Sequence, residues 1–141
     1  MPLRDHNGIV SAAFQDLRTE ENPKNGALID SQATITELLH WVKEQDPFLF
    51  ELRSDNGFTL TAGFAASVGC AQHAPSSGDP PYYVTVQERD AESAGLVTFL
   101  VGNEMTEVPK RWCLPSQQVE EIVTCFVKTG GRLEAVDWEE I

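Results

Sequence analysis

Cys70-Ala71-Gln72-His73 sets a thiol and an imidazole three residues apart. That spacing suits either a zinc site or a cysteine nucleophile served by a histidine base. Tetrahedral zinc needs at least three protein ligands, and the second half of such a site is missing. Cys113 and Cys125 have no neighbouring histidine, and His6 and His40 fall in the N-terminal stretch and on a helix. Three widely spaced cysteines also argue against a secreted disulfide framework and read as reduced thiols in small apolar niches. Cys70 and His73 remain the one candidate pair for an enzyme. Ser76-Ser77-Gly78 is not the Gly-x-Ser-x-Gly nucleophile elbow, and no phosphate-cradling glycine loop occurs. No metal or cofactor is implied.

Carboxylates are the more informative set. The 141 residues carry 22 acidic and 10 basic side chains, a net charge of −12. Residues 88–107 hold Glu88, Asp90, Glu92, Glu104 and Glu107 against Arg89, and residues 132–141 hold Glu134, Asp137, Glu139 and Glu140 against Arg132. More than half of the excess charge therefore sits in thirty residues. Such runs keep a protein soluble, and they can also capture a basic partner. The ten basic residues, spread from Arg4 to Arg132, form no patch for a phosphate backbone or an anionic membrane, so direct binding to either is disfavoured.

Regular elements must hold these groups. Thr34-Ile35-Thr36-Glu37 has the capping-box pattern, and Ile35, Leu38, Leu39 and Val42 recur at helical spacing, which predicts a helix over 34–45 ended by Asp46-Pro47. Phe48, Phe50 and Leu52 alternate with other residues before Asp55-Asn56-Gly57, and Phe58, Leu60, Ala62 and Phe64 alternate after it. This is a β-hairpin signal, because Asn and Gly accept the turn's backbone angles. The stretch 69–81, with its Pro-Ser-Gly-rich end, reads as a loop. Tyr82–Gln87 and Leu96–Val101 read as a second strand pair joined by the acidic connector Glu88–Glu92. Met105–Val108 adds a short strand after Gly102-Asn103. Ser116 reads as the N-cap of a second helix with its stripe at Val119, Ile122, Val123 and Phe126, closed by Gly130-Gly131, and residues 133–138 read as a last strand. The fold class is α+β, a mainly antiparallel twisted sheet of about five to six strands with two helices packed on one face. Residues 1–25 are expected to form a flexible segment and 26–141 a single domain. No apolar run approaches the roughly 18 residues needed to cross a bilayer, and the start lacks a secretory signal pattern, so a cytoplasmic location is expected.

From Phe48 onward the pattern resembles the immunity protein one family, antidotes encoded beside the toxins of bacterial polymorphic toxin systems. The match runs through Gly63 and Val68-Gly69, Ser77-Gly78-Asp79, Val101-Gly102, Glu107-Val108-Pro109 and Leu114-Pro115. It ends on Phe126-Val127-Lys128-Thr129-Gly130-Gly131-Arg132 and Val136-Asp137-Trp138. Gly26-Ala27-Leu28-Ile29-Asp30 fits the family's opening. The resemblance implies an inhibitor, not an enzyme, whose partner is a toxin domain of the deaminase fold bound one to one. An acidic protein suits the basic groove that such a toxin needs for nucleic acid. The expected contact set is Ser76, Ser77 and Asp79 in the polar loop, the acids Glu88, Asp90, Glu92, Glu104 and Glu107, and aromatic anchors at Tyr82, Tyr83 or Trp112. The alternatives are an adaptor for another basic partner and a small Cys/His enzyme.

Overall fold

Ile35, Leu38 and Val42 line the buried side of α1, Gln32–Glu44, and Val119, Ile122, Val123, Phe126 and Val127 that of α2, Ser116–Thr129. The computed structural model describes residues 11–16, 24–45, 48–87, 95–101 and 104–141. α1 starts two residues earlier than the pattern predicts, because Ser31, not Thr34, is the cap. The Thr34 amide donates to Ser31 Oγ at 3.1 Å, and Thr34 Oγ1 accepts from the Ser31 amide at 2.9 Å. Thr34 thus holds the third helical position, and its hydroxyl does the work expected of a glutamate. Gln45 closes α1, and Asp46-Pro47 lies outside the described residues. Ser116 is the first helical residue of α2 and makes no side-chain cap. Its amide donates instead to Ser67 O at 2.9 Å. Gly130 ends α2 at φ 72°, the left-handed conformation that frees its amide to reach Phe126 O.

The strands in chain order are β1 Ala12–Asp16, β2 Leu28–Ile29, β3 Phe48–Ser54, β4 Phe58–Ala65 and β5 Val68–Pro75, followed by β6 Tyr83–Val86, β7 Leu96–Val101, β8 Glu104–Pro109, β9 Leu114–Pro115 and β10 Asp137–Glu140. Eight of them make one antiparallel sheet in the order β10-β6-β5-β4-β3-β1-β2, with β9 against β5. β7 and β8 form a separate two-stranded hairpin. The class is α+β, with a larger sheet than the five to six strands expected.

Four differences from the sequence reading account for this. The stretch 69–81 is not all loop, because β5 pairs with β4 over eight positions from Val68–Ala65 to Pro75–Phe58. The small residues of Gly69-Cys70-Ala71 hide the strand signal, and the β4–β5 turn uses Ala66 at φ 58° with no glycine or asparagine to announce it. β6 pairs with β5 and β10, not with β7. The last strand is Asp137–Glu140, with 133–136 leading into it. Finally, β1 falls inside the segment expected to be flexible, where it pairs with β2 and β3 and buries Ala12, Phe14 and Asp16.

Successive side chains of a strand face opposite ways, so each face of the sheet builds its own core. On one face Phe14, Phe48, Phe50, Leu52, Leu60, Ala62, Phe64 and Ala71 meet both helices. Trp41 of α1 stands edge-on to Phe14 and Phe48 at 5.8 and 5.7 Å. Gly69 allows Val119 of α2 to approach the strand, since a Cβ there would lie 3.0 Å from Val119 Cγ2, and it would also collide with Gly63 O of β4. On the other face Leu49, Ala65 and Cys70 pack with Phe99 of the hairpin and with Cys113. The hairpin lies across β3 and β4.

Candidate functional site

Cys70 and His73 both lie on β5, and a three-residue step along a strand turns them to opposite faces. Cys70 points into the core under the hairpin, where its thiol pairs with Cys113. That pairing, followed by burial, holds Cys70 well above the ordinary thiol range. His73 points to the helix face, where Nε2–H donates to Gly130 O at 2.9 Å and the ring stacks on Phe58 at 4.9 Å. Burial depresses its pKa and the Arg132 charge adds to this, while the bond to Gly130 opposes them. The thiol and the imidazole cannot act as a pair across the sheet. Among the described residues no three His, Cys, Asp or Glu side chains converge as a metal site.

The expected contact residues divide between two places. Ser76, Ser77 and Asp79 sit in the exposed loop after β5, at the end of the sheet where α2 terminates. Ser76 Oγ lies 2.7 Å from Thr59 Oγ1, and Ser77 Oγ donates to Asp79 Oδ2 at 3.2 Å. Tyr82 pins this loop by donating its hydroxyl to Gly78 O. Tyr83 opens β6 opposite His73, and the Arg132 guanidinium lies 3.7 Å from the centre of its ring. With Phe58, Pro75, Pro81 and the Gly130-Gly131 pair they line a groove of about 290 Å³. Sequence reasoning missed Phe58 and Arg132 here, because only the sheet order brings Arg132 to Tyr83.

The second place is the hairpin. Val97 and Val108 are paired on the covered side, as are Phe99 and Thr106. The intervening pairs, Leu96 with Pro109 and Thr98 with Glu107, face outward. Leu96 is 58% exposed and Met105 66% exposed, with Glu107 on the same face. The apolar runs Leu96-Val97 and Phe99-Leu100-Val101 signal a strand apolar on both sides, which was the available clue to Leu96. Glu104 opens β8. Trp112 ends the short 3-10 turn Lys110–Trp112. Its carbonyl accepts from Thr85 Oγ1 at 2.8 Å, and its indole N–H is buried with no partner among the described residues. Glu88, Asp90 and Glu92 lie outside the described residues. Arg111 holds Glu139 at 2.9 Å, so one of the C-terminal acids is already engaged.

Among the described residues the Cys70/His73 pair is split by the sheet, and the exposed features include the outward Leu96, Met105 and Glu107 of the hairpin and the polar loop at Ser76–Asp79. The family model of immunity protein Imm1 matches residues 10–140. The chain belongs to that immunity protein family, and its role is that of an immunity protein, which binds a cognate toxin. The match takes in β1, beginning well before residue 26, where the resemblance first became legible. No curated protein matches the chain. No helix among the described residues is long and apolar enough to cross a membrane.

Proposed function

We propose that this protein neutralises a nucleic-acid deaminase toxin in the cytoplasm by laying the outer face of the β7–β8 hairpin over the toxin's substrate groove. The observation that carries this reading is that Leu96 and Met105 face outward on the same side of the hairpin as Glu107, in a segment whose sequence follows the acidic connector containing Glu88, Asp90 and Glu92. A protein that holds a polyanion must present a basic groove, and acidic side chains steer toward it and fix the register. Exposed apolar side chains beside Glu107 supply the part of an interface that is fully dried on binding. A specific complex of ordinary size buries about 1,600 Å² in total, about half of it from each partner. In this reading the hairpin is the centre of the contact. Ser76, Ser77, Asp79, Tyr82 and Tyr83 lie away from it, at the Pro75 end of β5 with Tyr83 on the helix face, so substitutions there cost less than substitutions at Leu96 or Met105.

The test uses the toxin encoded by the neighbouring gene. One equivalent of this protein should abolish cytosine deamination on single-stranded nucleic acid and rescue cells that express the toxin. Reversing Glu88, Asp90 and Glu92 to Lys should slow association and flatten its salt dependence. Unchanged kinetics would move the interface elsewhere, and a toxin without deaminase activity would remove the assigned chemistry.

A further inference from the structure

Two of the three cysteines, Cys70 and Cys113, are buried together in the core beneath the hairpin. β5 and β9 run antiparallel, with Val68 opposite Pro115 and Gly69 opposite Leu114. Cys113 precedes β9 with extended backbone, φ −96° and ψ 141°. The register therefore continues one step and sets Cys70 opposite Cys113. Directly opposed residues of an antiparallel ladder have Cα atoms about 4.5 or 5.5 Å apart, inside the roughly 4.4–6.8 Å that a disulfide spans. Both side chains enter the same core beneath Phe99, with Leu49 and Ala65. Both are reduced, and each thiol shifts the pKa of the other, Cys70 upward and Cys113 downward. Cys125 is on α2, in the half-exposed layer facing away from this core.

We propose that Cys70 and Cys113 are a built oxidation site that closes to an intramolecular disulfide when a peroxide reaches it. Cys113 is the attacking sulfur: the hydrogen bond from Cys70 lowers its pKa, Lys110 adds to this, and burial opposes them. Its thiolate attacks one peroxide oxygen, the O–O bond breaks, and the departing hydroxide takes up a proton to become water. Cys70 sulfur then attacks the sulfenic sulfur of Cys113, the S–O bond breaks, and the proton of Cys70 leaves with the oxygen as a second water. Two thiols are oxidised by two electrons and one peroxide is reduced. The bond ties β5 to the residue before β9 and encloses β6, β7 and β8 in a covalent loop, which restricts the unfolded chain more than the folded one.

The folded protein is treated with hydrogen peroxide, unfolded in guanidinium with N-ethylmaleimide and weighed. The expected product is lighter by about 2 Da before labelling. It takes up one maleimide where the untreated chain, with its three free cysteines, takes up three. Digestion should join the Cys70 and Cys113 peptides, dithiothreitol should restore all three adducts, and the urea midpoint should rise on oxidation. In Cys70→Ser, a sulfenic acid at Cys113 should be trapped by dimedone. Three maleimides after peroxide treatment, or a cross-link through Cys125, would overturn the proposal.

Discussion

Gly130→Ala is the sharpest test of how α2 is anchored to the sheet. At φ 72° an alanine is in the left-handed region, which costs about 1–2 kcal/mol. Its Cβ would also fall on the Asn56 side-chain amide, whose Nδ2 donates to Thr129 O at 3.0 Å. Asn56 must then swing away and give up that bond, worth about 0.5–1 kcal/mol at an exposed site. The bond from His73 to Gly130 O is disturbed as well. Together these predict a loss of about 2–3 kcal/mol. A chain of this length has an unfolding entropy near 0.3 kcal/mol/K, so Tm should fall by about 7–10 °C. Thermal and urea unfolding by circular dichroism read both quantities. Gly131→Ala is the control: it has no positive φ, and its Cβ meets only Thr129 Oγ1, at 3.3 Å. Asn56→Ala removes the obstructing amide, so the double variant should lose less than the sum of the single ones. If Gly130→Ala lies within about 0.5 kcal/mol of Gly131→Ala, the reasoning fails.

Three further outcomes follow from the same contacts. Ser31→Ala leaves the Thr34 amide without its side-chain acceptor, and should lower stability by about 1 kcal/mol in urea unfolding. His73 has its pKa lowered below the ordinary 6.5 in the folded protein. Its contribution is therefore complete above that pH and is lost as the pH falls through the depressed value, because the unfolded chain binds the proton more readily. Urea midpoints compared between neutral and mildly acidic pH should fall less in His73→Gln than in the parent. Phe99→Ala empties the side chain that seats the hairpin on β3 and β4, and should cost about 3–5 kcal/mol if the hairpin stays docked in the folded state. Release of the hairpin alone would appear as faster amide exchange confined to β7 and β8, and protection unchanged there would mean that Phe99 does not hold it.

Local pattern sufficed for what local energetics dictates. The helical stripes at Ile35 to Val42 and Val119 to Phe126 mark α1 and α2, because only one side of each helix can leave water. Asn56-Gly57 marks the β3–β4 turn, and Gly130 marks the end of α2. The resemblance carried by Thr129-Gly130-Gly131-Arg132 and Trp138 pointed to the right family. β5 was lost because Gly69, Cys70 and Ala71 are too small to show alternation. β1 was lost because five residues with one large apolar side chain, Phe14, gain their stability from β3 and not from themselves. The groove at Arg132 is not legible in the sequence because only the pairing of β6 with β5 brings Tyr83 beside His73 and the end of α2.

By itself the sequence determined the charge, the two helices, the first hairpin and the family. Tertiary structure alone decided which strands are neighbours and which way each side chain faces. Residues three apart on a helix share a side, whereas on a strand they face apart, so making 68–75 a strand is what separated Cys70 from His73. The same pairing that broke up that candidate site brought Cys70 to Cys113, a partner that no local spacing could have announced.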